Sequence, residues 1–93
     1  MYFMKEPGDE EIKADVMNRL LRRNCWGARY LPLASLVNWL DEKIKKDGGR
    51  IRNSINQLVK EGYLISHKRS ATISLNPARS GEIVGYINRV LKI

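Results

Sequence analysis

KKDGGRIRNSINQLVKEGYLISHKRSATISLNP, Lys45 to Pro77, decides the fold. Ile51, Ile55 and Leu58 recur at the spacing of one helical face. Asp47 suits the N-cap of that helix and Gly62 its stop, so the spacing predicts a helix from Asp47 to about Glu61. At ~100° per residue, Asn53, Asn56 and Lys60 fall opposite the apolar stripe, with Arg50 and Gln57 on one flank. Two alternating segments follow, Tyr63–His67 and Ala71–Leu75, joined by Lys68, Arg69 and Ser70. They predict a hairpin with Ile73 and Leu75 on one face and Thr72 and Ser74 on the other. Asn76–Pro77 is a cap followed by a first-turn proline.

Upstream, Asp9 is the expected N-cap of a first helix, with Glu10 and Glu11 in its first turn and Arg22 and Arg23 in its last. Ile12, Val16 and Leu20 repeat every four residues, flanked by Met17 and Leu21, until NCWGARYLP breaks the pattern at Gly27. Tyr30–Leu31 is a candidate short strand, and Pro32 is read as an early residue of a second helix carrying Leu33, Leu36, Val37, Leu40 and Ile44. Downstream, Ile83, Ile87, Val90 and Leu91 mark a last helix. The expected order is α-β-α-α-β-β-α, a mainly α chain with a small β-hairpin, of α+β class. A single domain is expected over residues 1–93, with 1–8 an N-terminal extension and 76–93 the closing segment, since so short a chain buries only roughly 60% of its unfolded surface.

The net charge of +7 is unevenly spread. Residues 1–18 hold two basic and five acidic side chains, whereas residues 19–40 hold four basic and no acidic ones. The remainder is also net basic, so the positive field starts within the first helix and continues to the end. Such asymmetry favours a polyanionic partner and speeds its encounter. Cys25 stands alone, which excludes an intramolecular disulfide and a multi-cysteine metal site and fits a reducing cytoplasm. The opening MYFMKEPGDEE does not have the pattern of a signal peptide, and no run approaches ~18 apolar residues. A cytoplasmic protein without membrane association is therefore expected.

The third helix carries the chemistry. Arginine pairs bidentately with guanine, and asparagine or glutamine with adenine, each contact worth ~1–3 kcal/mol of discrimination. Arg50, Asn53, Asn56 and Gln57 are accordingly the expected base contacts. Lys43, Lys45, Lys46, Arg52 and Lys60 are the expected phosphate contacts, with His67, Lys68 and Arg69 at the hairpin tip set to touch phosphates or a minor groove. The bland alternatives are a solvated helix face and an ordinary charged turn. Gly48 and Gly49, costly in a helical first turn, suit either close backbone approach to a phosphate or a turn that orders late.

This order of elements resembles the winged helix-turn-helix superfamily over most of the chain. Asp47, Ile51, Ile55, Leu58 and GYLI at 62–65 are similar to a recognition helix and its exit into the wing. RYLPLASL at 29–36 is similar to the short strand entering the second helix, and SLNPARSGEI at 74–83 to the strand-cap-proline-helix passage of MarR-like regulators. The chain is similar to small archaeal regulators of this type. The resemblance implies duplex-DNA binding with the third helix in the major groove, a role in transcription regulation, and dimerisation through terminal helices. Ile83, Val84, Ile87, Val90 and Leu91 are the corresponding dimer residues, with Tyr2, Phe3 and Met4 adding apolar surface at the other terminus. Two departures bear on the pose of the third helix: Asp41 replaces a usually small residue, and Lys45–Lys46 replace the glycine and apolar residue of the usual turn.

Trp26 and Trp39 invite a base-stacking reading, but Trp39, adjacent to Leu40 on an amphipathic helix, is read as boundary packing, and Cys25 as a small buried apolar residue rather than a redox sensor. With one His, one Cys and no Gly-x-x-x-x-Gly-Lys motif, no catalysis, metal or cofactor is expected. The rival reading is a protein-docking module on the same fold without specific DNA binding. Recognition of single-stranded or structured RNA is a third, for which only Tyr30 and Tyr63 are aromatics near the basic face.

Overall fold

A computed structural model describes residues 8–44, 48–67 and 71–92. The chain runs α1 (Asp9–Arg22), β1 (Leu31–Pro32), α2 (Leu33–Ile44), α3 (Gly48–Lys60), β2 (Leu64–His67), β3 (Thr72–Leu75), a 3-10 turn (Pro77–Arg79) and α4 (Ser80–Leu91). It is mainly helical, with an antiparallel sheet in the order β1-β3-β2. Apart from the 3-10 turn, the order of elements is the one expected. The side chains of residues 41–44 lie outside the description, as do Asp47 and its expected capping role.

α1 is the helix around which the others close, packing on α4, α3, α2 and β3. Ile12, Ala14, Val16, Met17 and Leu20 are all buried, a stripe wider than the i, i+4 pattern alone suggests. Its N-cap is Gly8 rather than Asp9, because Glu11 reaches back and accepts a hydrogen bond from the Gly8 amide at 3.4 Å. Its end is set at Asn24, three residues before the glycine read as the breaker. Asn24 adopts left-handed backbone (φ 57°), its N–H donates to Leu21 O, and the Cys25 N–H donates to Leu20 O. Asparagine tolerates this conformation better than most non-glycine residues, and the two bonds satisfy carbonyls that the helix end would otherwise leave open.

α3 ends in the same way, at the residue the sequence marks. Gly62 has φ 88°, its N–H donates to Val59 O, and the Tyr63 N–H donates to Leu58 O. A side chain here would be strained and would also stand 3.3 Å from Arg79 Nη2. Asn76 then ties this exit to the start of the last segment. Its Nδ2 donates to Gly62 O at 2.8 Å, its N–H to Tyr63 O at 3.0 Å, and its Oδ1 accepts from the Ala78 N–H at 3.0 Å.

In the sheet, Leu31 and Pro32 pair with Ile73 and Thr72. The short strand is therefore Leu31–Pro32, and α2 begins at Leu33 rather than at Pro32. An edge strand accommodates a proline, whose missing N–H is not needed by the ladder. β3 is the central strand, with β2 on its other side in the register Leu64↔Leu75 to His67↔Thr72. All four β3 residues are buried, including Thr72 and Ser74, which alternation alone would have left outward. The segment before β1 covers that second face: Gly27 N–H donates to Leu75 O, and Ser74 Oγ donates to Gly27 O at 2.8 Å.

One apolar cluster joins these elements. Ile51, Ile55 and Leu58 from α3 meet Leu36, Val37 and Leu40 from α2, the α1 stripe, Ile73 and Leu75, and Ile83 and Ile87 from α4. Burying each such side chain contributes about 1.5–3 kcal/mol, so the three α3 residues largely fix the orientation of that helix.

Candidate nucleic-acid interface

α3 owes its exposed face to that burial. With Ile51, Ile55 and Leu58 turned inward and Ser54 buried beside them, Gly49, Arg52, Asn53, Asn56, Gln57 and Lys60 are exposed. α3 itself contains no acidic residue. Four of the five exposed side chains other than glycine's empty position are amides or an arginine, and the fifth is Lys60. At ~1.5 Å per residue, its thirteen residues span roughly 20 Å. Space beside Gly49 is open, with no atom within 4 Å of where a Cβ would stand.

Arg50 is set apart from the other expected base contacts. It is half-buried and points toward α1, where its Nη2 donates to Asp9 Oδ1 at 3.2 Å. Further along the same interface, Lys13 Nζ lies 3.9 Å from Glu61 Oε1. The acidic start of α1 thus meets the edge of α3, a juxtaposition of residues 41 apart in sequence.

His67 is not a free residue of the hairpin tip. It ends β2, paired with Thr72, and its Nε2 lies 3.2 Å from Ser74 Oγ. Because the Ser74 hydroxyl donates to Gly27 O, that contact calls for a proton on Nε2 of His67. Its ring also lies 4.9 Å from that of Tyr30. His67 therefore anchors the outer face of the sheet. Lys45, Lys46, Lys68 and Arg69 lie outside the described residues, as does the side chain of Lys43.

The aromatic residues are mostly occupied in packing. Trp39 is half-buried against the core with the Arg19 guanidinium 4.6 Å from its ring, and Trp26 bridges to Leu75. Tyr63 lies against Tyr86 and under Arg79, which also pairs with Glu82 at 2.9 Å. Burial, then the nearby Glu10 carboxylate, raises the Tyr86 pKa, so its hydroxyl stays protonated. Tyr30 is 39% exposed and is the aromatic side chain most open to solvent among the described residues. Cys25 is buried, and desolvation raises its thiol pKa despite the opposing influence of Arg23 and Arg29. It behaves as the small apolar residue expected.

On α4 the expected dimer residues divide. Ile83 and Ile87 are 0% and 1% exposed because α4 lays them on α1, so they are core residues and not interface residues. Val84 is exposed, and Val90 and Leu91 are half-buried. No group of three or more potential metal ligands and no helix long and apolar enough to cross a membrane occurs among the described residues. In comparisons with known proteins, no family model, curated sequence or solved structure matches the chain.

Proposed function

We propose that this protein is a winged helix-turn-helix regulator that binds duplex DNA in the cytoplasm, as a homodimer, with α3 in the major groove and the β2–β3 hairpin as its wing. The observation that carries the reading is the exposed face of α3, where Arg52, Asn53, Asn56, Gln57 and Lys60 stand together on a helix without a carboxylate. A groove about 12 Å wide admits such a helix, and amides and guanidinium groups match the acceptors and donors of base edges. Asn53, Asn56 and Gln57 face bases, with Arg50 beside them at the rim of the face. Arg52 and Lys60 contact phosphates, joined by Lys43, Lys45, Lys46, Lys68 and Arg69. In the dimer, Val84 and Val90 supply the apolar contact, with Leu91 at the margin of the core beside them.

Duplex-binding titrations over a range of salt concentrations test the reading. An Arg52→Ala/Lys60→Ala variant should melt like the parent and lose about two units of salt slope, one for each phosphate contact. Binding by the parent that is weak, and no less salt-dependent in the variant, would instead favour the protein-docking module.

A further inference from the structure

We infer that Asp9 is a specificity-determining residue of this DNA-binding face, acting by positioning Arg50. The inference rests on the proposed function. Arg50 stands in the first turn of α3, where the positive end of the helix dipole disfavours a cation. Asp9 stands in the first turn of α1, where the same effect favours a carboxylate. Their contact at 3.2 Å relieves the first unfavourable placement with the second favourable one. It also fixes the direction of a long side chain through Nη2.

An arginine held this way is altered in one respect and not in another. Together with Asp9 it carries no net charge, so it adds little to the counterion release that drives sequence-independent binding. Its guanidinium nevertheless remains a planar donor suited to a guanine edge, which is a neutral acceptor. With side chains 30% and 70% exposed, the pair lies at the rim of the α3 face and is reachable from solvent. Asp9 thus suppresses use of Arg50 as a general phosphate anchor while holding it for base recognition. A carboxylate at the edge of a polyanion-binding face discriminates against the wrong register in the same way, by repulsion.

The test compares binding to a duplex recovered by selection from a random pool with binding to an unrelated duplex of equal length. Asp9→Asn keeps the size and an acceptor oxygen but removes the charge. Affinity for the unrelated duplex should rise about fivefold, the factor an exposed ion pair can withhold, and its salt slope should steepen by about one unit. Affinity for the selected duplex should rise less, so the ratio between the two falls. In an Arg50→Gln background the same substitution should leave that ratio unchanged. Equal gains on both duplexes, no gain on either, or an undiminished effect without Arg50 would overturn the inference while leaving DNA binding intact. Absence of duplex binding by the parent protein would overturn both. Matched thermal melting of the variants checks that folding is not the cause.

Discussion

α3 and α4 are built alike on the inside and differently on the outside. Each lays isoleucines on the same core, Ile51 and Ile55 from one and Ile83 and Ile87 from the other. Outward, α3 presents Arg52, Asn53, Asn56, Gln57 and Lys60, whereas α4 presents Ser80, Gly81, Glu82, Val84, Gly85, Asn88 and Arg89. Equivalent burial therefore supports two surfaces of different chemistry. The carboxylate-free, amide-rich one suits a polyanion, whereas the other mixes glycine and valine with one carboxylate, Glu82, and one guanidinium, Arg89. The comparison separates residues that hold the fold from residues available to a partner, a distinction that apolar periodicity alone does not make.

The largest effect that can break the comparison is on stability. Ile83→Ala and Ile55→Ala should each cost about 2–5 kcal/mol in denaturant unfolding, because both empty the same core. Asn56→Ala on the outer face should stay within about 0.5 kcal/mol. A near-neutral Ile83→Ala would return that residue to the dimer surface. Next in size is the joint between the two helices. Asn76→Ala removes the bonds to Gly62 O and the Ala78 N–H and should cost about 1–2 kcal/mol, measured the same way.

The smallest effects sharpen the contrast between the two outer faces. Gly49 and Gly85 are both helical and both have open space where a Cβ would stand. Gly49→Ala and Gly85→Ala should each stabilise the protein by about 0.4–1 kcal/mol. If α3 needs close backbone approach to a phosphate, Gly49→Ala should also weaken duplex binding, while Gly85→Ala leaves it unchanged. Loss of binding on Gly85→Ala instead would mean that α4, or a dimer made through it, contributes to the site.

The inner faces were legible in the sequence because three or four apolar residues at helical spacing have few other places to go. Gly62 and Asn76 were legible for a similar reason, since local backbone chemistry restricts what can stand there. Asn24 was less visible because a left-handed asparagine has the same letter as any polar surface residue. Burial of Thr72 and Ser74 depends on β3 being the central strand, and that of Ser74 also on the Gly27 segment crossing it, which no local pattern states. The placement of Arg50 beside Asp9 depends on the crossing of α1 and α3. Ile83 and Ile87 were recognisable as an apolar stripe, but the stripe does not name the surface that covers it.

The central claim is that the outer face of α3 recognises base edges. Selection of bound duplexes from a random pool, carried out in parallel with the parent protein and an Asn53→Ala/Asn56→Ala variant, tests it most directly. The account predicts an enriched motif for the parent, repeated as a palindrome if the protein dimerises, and relaxed choice at adenine positions for the variant. No enrichment by the parent, or an identical motif from both proteins, would contradict it.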